Sequence, residues 1–319
     1  MIPDKKLVFL FPGQGSQSAG MLADHLKSSD IVANIFSEAS QTLGYDMQSL
    51  ILEDPDGKLN QTEFTQPALL TASVALLCRW RSHHGSEAGH VAGHSLGEYS
   101  ALVAAGSLDF ADAVQLVAFR GKAMSRSVAL GEGKMAAVLG LKDFQVKELC
   151  LTASSASAMV WPANYNCPGQ VVIAGNADVV EKAMLIAKDM GAKRVLPLAV
   201  SVPSHTPLMQ AAAEEMKGRL QTVKLKDADR PVWSNATARQ IQSVTEIRQA
   251  LEQQLVQPVL WTQTVESLDE AGVDVAIELG PGKVLSGLTR RIARNIRIHG
   301  TDTPETFKQT LIEMETTYG

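Results

Sequence analysis

The stretch from Gly93 to Gly97 (Gly-His-Ser-Leu-Gly) constrains the fold of this chain more than any other. It has the G-x-S-x-G pattern of a nucleophile elbow, in which a serine occupies a tight turn between a strand and a helix. A short apolar stretch precedes the turn, and residues 96–105 have the composition of a helix that stops at Gly106. The pattern alone is weak, because tight surface turns also use glycine and serine. With both flanks in place, we interpret Ser95 as a nucleophile.

The composition of the chain limits its compartment and partners. With 319 residues, 45% of them hydrophobic and 20% charged, it can form one large domain or about two of ordinary size. A formal net charge of −5 argues against general nucleic-acid binding. The three scattered cysteines form no C-x-x-C pair, which indicates a reducing compartment and no metal site. No apolar run approaches the ~20 residues that span a bilayer, and the first is too short for a signal peptide. We expect a cytoplasmic protein that binds neither nucleic acid nor membrane.

Before residue 130, the pattern predicts alternating strands and helices. The first strand leads into a glycine-rich loop, Pro12–Gln17, which lacks the phosphate-binding patterns because Ser18 stands where G-x-G-x-x-G has its last glycine. The loop can instead supply a backbone N–H to an oxyanion hole beside the elbow, with a plain β-to-α turn as the alternative. The predicted elements are a strand at Lys6–Phe11 and helices at Met21–Leu26, Ile31–Leu43, Ala68–Trp80, Leu96–Ala105 and Phe110–Met124.

A change of rhythm between residues 135 and 198 predicts a smaller domain. The order of its elements is β-α-β-β-α-β, the split βαβ arrangement of a ferredoxin-like unit. Its strands are Met135–Leu141, Ala158–Ala163, Gln170–Ala174 and Arg194–Leu198, and its helices are Phe144–Thr152 and Val179–Met190. We expect an α/β protein in which this ferredoxin-like domain (131–199) is inserted into an α/β-hydrolase-like large domain (1–130 and 200–319) with a short parallel sheet. Glycine and proline mark the joins, at Gly131–Gly133 and Ser201–Pro203.

The second segment of the large domain predicts further elements and a set of cations. The elements are helices at Leu208–Leu220 and Ile247–Leu255, strands at Val232–Ser234 and Val273–Leu279, and a last helix through Leu285, Leu288 and Ile292. On that last helix, Arg290, Arg294 and Arg297 recur at i, i+4 and i+7, away from the apolar face.

A serine nucleophile needs a base within hydrogen-bond reach, and the sequence favours His205. This histidine lies in a proline-bounded turn before a predicted helix and follows the serine, which is the chain order of α/β-hydrolase-like enzymes. His94 adjoins Ser95, but neighbours across an elbow point apart. The other histidines occupy polar, loop-like or exposed-looking stretches (His25, His83, His84, His90 and His299). A histidine that only caps the helix is the alternative.

Seven motifs in register give the chain a family resemblance. They are Gly13-Gln14-Gly15-Ser16-Gln17, Thr65-Gln66-Pro67-Ala68, Gly93-His94-Ser95-Leu96-Gly97-Glu98, Asn164-Tyr165-Asn166-Cys167-Pro168-Gly169-Gln170, Val202-Pro203-Ser204-His205, Gln254-Leu255 before Pro258, and Glu278-Leu279-Gly280-Pro281-Gly282. In this order and spacing, the chain resembles the malonyl-CoA:acyl-carrier-protein transacylases of type II fatty acid synthesis. The resemblance covers nearly the whole chain and weakens after about Arg297.

The resemblance implies a ping-pong acyl transfer that uses no metal or prosthetic group. Ser95 would attack the malonyl thioester, and His205 would act as general base and then as general acid. No triad aspartate is expected, because in this family a backbone carbonyl orients the histidine, here that of Gln254. The backbone N–H groups of Gln14 and Leu96 would form the oxyanion hole.

The resemblance also implies that Arg120 binds the free malonyl carboxylate and that Gln66 lines the acyl pocket. A planar guanidinium suits that carboxylate, and a simple serine hydrolase has no use for a buried arginine. By periodicity alone, Arg120 lies at the border of a buried helix face, where a snorkelling surface residue is the alternative. The sequence departs from the family pattern at Cys167 and Gln257, neither of which touches a proposed catalytic atom.

The partners that follow are malonyl-CoA and acyl carrier protein, and we expect a monomer. Because such carriers are typically acidic, exposed cations are candidates for docking. For the helix arginines, a solvated face is the alternative. The candidate residues are Lys193, Arg194, Arg290, Arg294 and Arg297.

Other functions keep the same residues. A discrete acyltransferase of polyketide synthesis and the malonyl transferase subunit of malonate decarboxylase are the nearest enzyme alternatives. A serine hydrolase or thioesterase would release free malonate instead of loading a carrier. A non-catalytic carrier-binding protein of the same fold is the remaining alternative, and the presence of Ser95, His205 and Arg120 argues against it.

Overall fold

Two β-sheets, one largely parallel and one antiparallel, organise the computed structural model, which describes residues 3–200 and 202–318. Across the first sheet the strands lie in the order β10 (Arg297–Gly300), β9 (Val275–Glu278), β1 (Asp4–Phe11), β2 (Ala88–Gly93), β7 (Val232–Trp233) and β8 (Gln240–Ile241). Neighbouring strands are parallel except β8, which runs antiparallel to β7. The chain is therefore a mixed α/β protein with a parallel sheet, as the sequence predicts.

Strand β1 is central because both of its faces are covered. Leu7, Phe9 and Phe11 join one hydrophobic cluster, and Val8 and Leu10 join another on the opposite face. A strand buried on both faces has a continuous apolar run, which is the pattern that predicted it.

Helices cover both faces of this sheet. Those that contribute to the larger cluster include α2 (Asp30–Leu43), α3 (Met47–Leu52), α4 (Thr62–Ser82), α5 (Gly97–Ala104), α6 (Phe110–Ser127), α9 (Gln210–Thr222), α10 (Val244–Gln254) and α13 (Pro304–Tyr318). The opposite face is covered by α11 (Trp261–Glu270) and α12 (Val284–Ile292), and α1 (Ala23–Ser28) packs beside α2. Within the described ranges, no helix has the length and hydropathy needed to cross a membrane.

The antiparallel sheet belongs to the middle of the chain. Its strands lie in the order β4 (Val160–Cys167), β5 (Gln170–Asn176), β3 (Gly133–Leu139) and β6 (Arg194–Pro197). Helices α7 (Asp143–Ala153) and α8 (Ala177–Asp189) pack together and share a hydrophobic cluster with this sheet. The elements appear in the predicted order with shifted boundaries. Main-chain bonds of Val259 with Ala163 and Tyr165, each 2.9 Å long, attach β4 to the rest of the protein.

Several local predictions differ from the structure. Helix α4 begins at Thr62 instead of Ala68; the prediction started the helix after Pro67, whereas the structure contains this proline inside the helix although it has no N–H to donate there. No prediction covered α3, α11, β10 or α13. His25 is fully buried and bonded to the Thr301 carbonyl oxygen and to Arg79, so the expectation that it is exposed is wrong. Of the predicted join at Ser201–Pro203, Ser201 lies outside the described residues.

Candidate active site

The Gly93–Gly97 turn has the geometry of an elbow. Strand β2 ends at Gly93, helix α5 begins at Gly97, and Ser95 between them has a φ of 51°. That left-handed conformation is strained for a residue with a side chain and persists only where neighbours hold it. A Cβ on Gly93 would collide with the backbone of Gly97, and one on Gly97 would collide with the carbonyl oxygen of Phe11. Both glycines are needed for this close approach.

His205 lies against the serine. Its Nε2 is 2.7 Å from Ser95 Oγ, and its Nδ1 is 2.7 Å from the main-chain oxygen of Gln254. Because a carbonyl oxygen only accepts, Nδ1 carries the hydrogen and Nε2 is free to accept the serine proton. Burial, and next the charge of Arg120, lower the pKa of His205 from 6.5 to about 3, so the imidazole is neutral near pH 7. The main-chain oxygen of Gln254 is therefore in position to hold the ring in this tautomer.

Arg120 is fully buried beside the same serine, which excludes the snorkelling alternative. Its Nη1 donates to Gln66 Oε1 (2.7 Å), and its Nη2 donates to Gln254 Oε1 (3.0 Å). Nη2 also lies 3.5 Å from Ser95 Oγ, and the guanidinium lies 5.6 Å from the centre of the Tyr99 ring. Both close partners are neutral amides. A buried cation without an ion pair favours an anionic ligand.

The loop after β1 packs on the elbow. The His94 N–H donates to the Phe11 carbonyl (2.9 Å), and Gly13 fits against the His94 carbonyl with no room for a Cβ. This brings the backbone of Gln14 to the elbow, where Leu96 is the N-cap of α5. In the described part of the chain, neither Gln14 nor Leu96 uses its N–H in a hydrogen bond to another residue. Both amides are available to a ligand.

Two buried polar residues that the sequence analysis did not assign hold the elbow from behind. Asn235 follows β7, the strand beside β2; its Oδ1 accepts from the Ser95 N–H and its Nδ2 donates to the Gly93 carbonyl, each at 2.6 Å. Glu98, in the first turn of α5, accepts from Gln254 Nε2 (2.8 Å) and from the Asn235 N–H (3.1 Å). The sequence signal that could have placed Asn235 near the elbow is its position directly after a short predicted strand, because parallel strands end at the same edge of a sheet.

His94 links the two sheets instead of serving the serine. Its Nε2 is 2.8 Å from Asn166 Oδ1 in β4, and its ring packs against Trp261. Its role is therefore structural, as its place in the elbow predicts.

The five cations proposed for carrier docking lie apart from this cluster, and all are exposed. The expected helical face of Arg290, Arg294 and Arg297 is wrong. Helix α12 ends at Ile292, because the chain becomes extended at Ala293 and turns its buried side chains into the core before β10 begins. Lys193 and Arg194 lie at the start of β6, as expected. Arg291, which was not predicted, donates to Gln170 Oε1 (2.9 Å) and joins α12 to the antiparallel sheet.

In residues 3–200 and 202–318, no group of three or more His, Cys, Asp or Glu side chains is arranged to hold a metal ion.

Comparisons with known proteins identify the family to which the chain belongs. A family model described as acyl transferase domain matches residues 8–302. The malonyl CoA-acyl carrier protein transacylase of Escherichia coli K12 is 48% identical over 299 residues, which are 94% of this chain and 96% of that protein. The Bacillus subtilis protein of the same name is 44% identical and covers 97% of this chain and 98% of its own length.

Solved structures extend the similarity to the fold. The malonyl CoA-acyl carrier protein transacylase of Coxiella burnetii superposes with a TM-score of 0.94 at 41% identity, covering 97% of this chain and 98% of that one. A malonyl-transacylase solved with a type II PKS acyl-carrier protein superposes with a TM-score of 0.94 at 44% identity, covering 97% and 100%. The chain belongs to the acyl transferase family and, within it, to the malonyl CoA-acyl carrier protein transacylases.

Proposed function

We propose that this protein transfers the malonyl group of malonyl-CoA to the phosphopantetheine thiol of acyl carrier protein, through a malonyl-Ser95 intermediate, and so supplies the extender unit of fatty acid synthesis. The observation that carries the proposal is the buried Arg120 guanidinium, which lies 3.5 Å from Ser95 Oγ and whose nearest acceptors among the described residues are two neutral amide oxygens. An acyl group on that serine would have a cation beside it. A malonyl group supplies the matching carboxylate.

In the first half-reaction, Ser95 Oγ attacks the thioester carbonyl carbon while His205 Nε2 takes the serine proton. The carbon–sulfur bond breaks, and His205 returns the proton to the sulfur of CoA. The carrier thiol then attacks the serine ester by the reverse route. The main-chain oxygen of Gln254, bonded to Nδ1, keeps the imidazole in the required tautomer in both halves.

The negative charge on the tetrahedral oxygen would be bound by the backbone N–H groups of Gln14 and Leu96. Supporting this, neither group has an acceptor among the described residues, and Leu96 is the N-cap of α5, whose dipole favours negative charge at this end. Preorganised donors of this kind need no rearrangement as charge develops.

The malonyl carboxylate would bind the fork of Arg120, with Gln66 and Gln254 holding the guanidinium in place. Gln66 is itself fixed by a bond from its Nε2 to Thr62 Oγ1 (3.0 Å). A bidentate, charge-assisted pair in a buried pocket distinguishes a dicarboxylic acyl group from a neutral one.

The remaining expectations form part of the same proposal. The reaction requires no cofactor, and the protein works as a cytoplasmic monomer. The carrier docks on exposed cations (Lys193, Arg194, Arg290, Arg294 and Arg297). Residues 1–130 and 200–319 form an α/β-hydrolase-like domain and residues 131–199 an inserted ferredoxin-like domain. The antiparallel order β4-β5-β3-β6 with two helices on it supports the last assignment.

A polyketide carrier is a second candidate acceptor, because one structural relative is a malonyl-transacylase in complex with a type II PKS acyl-carrier protein. The residues around Ser95 serve either carrier equally well.

The test is mass spectrometry of the protein after exposure to malonyl-CoA and then to phosphopantetheinylated acyl carrier protein. We expect a malonyl adduct on Ser95 that disappears as malonyl-carrier forms, and no adduct on Ser95→Ala. Free malonate as the main product would assign a hydrolase. Absence of any adduct would contradict the proposal.

A further inference from the structure

Glu98 is a buried carboxyl group that the acyl-transfer steps above do not use. It lies behind the elbow with none of its surface exposed. One oxygen, Oε2, accepts from Gln254 Nε2 (2.8 Å) and from the Asn235 N–H (3.1 Å). The other oxygen, Oε1, has no hydrogen-bond partner in the described part of the chain. A carboxyl group with one satisfied and one bare oxygen tolerates a proton on the bare oxygen, since its two accepted bonds are kept.

The charges that act on Glu98 are few. Arg120 faces it from α6, beyond the distance of an ion pair, and the Tyr99 hydroxyl comes from its own helix. Helix α5 also packs against β1, β2, α4 and β7, none of which adds a charge that shifts the Glu98 carboxyl. Burial raises the pKa of Glu98 to about 7, against the opposing effects of Gln254, Asn235 and Arg120.

A malonyl group would change this balance. Its carboxylate would share the single guanidinium of Arg120 with Glu98, in a pocket where His205 is neutral. Two carboxylates and one cation leave an uncompensated negative charge, and buried like charges do not both stay ionised. The malonyl carboxylate binds the guanidinium directly, whereas Glu98 does not. Glu98 is therefore the carboxylate that becomes neutral.

We propose that Glu98 takes up one proton when a malonyl group is loaded onto Ser95, and that this residue thereby makes the preference of the site for malonyl over acetyl depend on pH. The inference rests on the proposed function. Acyl transfer itself is proton-neutral, because the serine proton passes through His205 to the sulfur of CoA. Loading an acetyl group therefore takes up no proton, and loading a malonyl group takes up as much as one.

The linkage has a sign. Since malonyl loading raises the proton affinity of Glu98, the loading equilibrium falls as pH rises above the pKa of the free enzyme, by at most about tenfold per pH unit. Acetyl loading lacks this dependence. Glu98→Gln, a neutral isostere of the protonated acid, removes the dependence and makes malonyl loading at alkaline pH more favourable relative to acetyl.

The experiment measures proton uptake with a pH indicator in weakly buffered solution at pH ~7.5, where free Glu98 is largely ionised. The full-length enzyme is mixed with malonyl-CoA or acetyl-CoA, and adducts are counted by mass spectrometry in the same samples. We expect proton uptake that scales with the number of malonyl adducts and no proton uptake with acetyl adducts. With Glu98→Gln, we expect no proton uptake from either malonyl-CoA or acetyl-CoA.

Each outcome decides one question. Malonyl adducts without proton uptake overturn the role of Glu98 while leaving the proposed function intact. Uptake that persists in Glu98→Gln also overturns it, because the proton then goes to another group. No malonyl adduct at all contradicts the proposed function. If Glu98→Gln does not fold, the comparison of proton uptake between malonyl-CoA and acetyl-CoA on the unmodified enzyme still tests whether malonyl loading takes up a proton.

Discussion

The main-chain oxygen of Gln254 lies 2.7 Å from His205 Nδ1, while the side-chain oxygen of the same residue lies 3.0 Å from Arg120 Nη2. One residue thus holds the proposed base, His205, through its backbone and the proposed carboxylate-binding cation, Arg120, through its side chain. A side-chain substitution separates these two functions, because the backbone carbonyl remains.

Gln254→Ala should therefore impair malonyl transfer more than acetyl transfer. A hydrogen bond to a charged group contributes about 1.5–3 kcal/mol, so kcat/KM for malonyl-CoA should fall by roughly 10- to 100-fold. Acylation rates with malonyl-CoA and acetyl-CoA measure the difference, with thermal unfolding as a control for lost contacts to Ser95 and Glu98. Equal losses for both substrates would assign Gln254 a purely structural role.

Ser95→Ala should abolish both the acyl adduct and transfer, because the reacting oxygen is removed while the surrounding backbone contacts remain. His205→Ala should slow acylation by about 10²–10⁴-fold, the range of general acid–base catalysis. Single-turnover acylation followed by mass spectrometry measures both. A stable adduct on Ser95→Ala would mean that another residue is the nucleophile. A pH–rate profile of His205→Ala identical to that of the unmodified enzyme would exclude His205 as the base.

Charge reversal at the exposed cations should weaken carrier binding alone. With Lys193→Glu and Arg194→Glu, or with Arg290→Glu, Arg294→Glu and Arg297→Glu, KM for the carrier should rise and its salt dependence should flatten. KM for malonyl-CoA should not change. Measuring the two groups separately is useful, since the three arginines do not share one helix face. Equal effects on both substrates would refute docking at these residues.

Local patterns predicted several of the elements around Ser95. The apolar run of β1, the glycines of the elbow and the periodicity of α6 each depend on residues close in sequence. The end of α12 did not follow from its pattern, because it depends on β10 pairing with β9, a contact that helical periodicity does not contain.

The site residues likewise divide into those that a local pattern indicates and those that depend on contacts between distant parts of the chain. Ser95 has a local motif, and His205 and Arg120 were found by elimination and resemblance. Asn235 and Glu98 were not predicted because their hydrogen bonds join residues far apart in the sequence. The Asn235–Glu98 bond spans 137 residues, and the bond from Asn235 to the Gly93 carbonyl spans 142. Arg120 looked like a boundary residue by periodicity, since the covering residues come from other helices. Only the fold shows that the space around it is closed.

The buried histidines should make stability depend on pH. The pKa of His205 falls from 6.5 to about 3, first through burial, and burial lowers that of His25 to about 4. At these histidines the unfolded chain therefore binds more protons below pH ~6.5, so their contribution to stability is fully present above that pH and is lost as pH falls toward the folded-state values. Each such histidine contributes a slope of at most about 1.4 kcal/mol per pH unit.

Urea unfolding at several pH values between ~6 and ~4 measures this slope. His205→Gln should reduce it by one histidine's share, leaving the part that belongs to His25 and to the other histidines whose pKa burial lowers (His90, His94 and His299). A slope identical to that of the unmodified protein would mean that His205 is not held neutral by the fold.

Substitution of Arg120 tests the substrate class most directly. The guanidinium is fully buried, its close partners are amide oxygens, and it lies beside the reacting serine oxygen. Removing one partner of a buried pair costs about 3–5 kcal/mol, so Arg120→Ala should lower kcat/KM for malonyl-CoA by roughly two to three powers of ten. Acetyl-CoA has no carboxylate to lose and no longer meets an unpaired charge. Transfer of the acetyl group should be unchanged or faster, so the preference for malonyl-CoA over acetyl-CoA should become smaller or reverse.

The matched control is Arg126→Ala, on the same helix, where the arginine is exposed and paired with Glu215. That variant should keep both activities, because an exposed ion pair contributes little and lies away from the serine. Acylation of Ser95 by each substrate, measured on both variants at equal concentrations of folded protein, separates charge recognition from loss of structure. If malonyl and acetyl transfer fell by the same factor in Arg120→Ala, the arginine would only support the fold, and recognition of a dicarboxylic acyl group would have to lie with other residues.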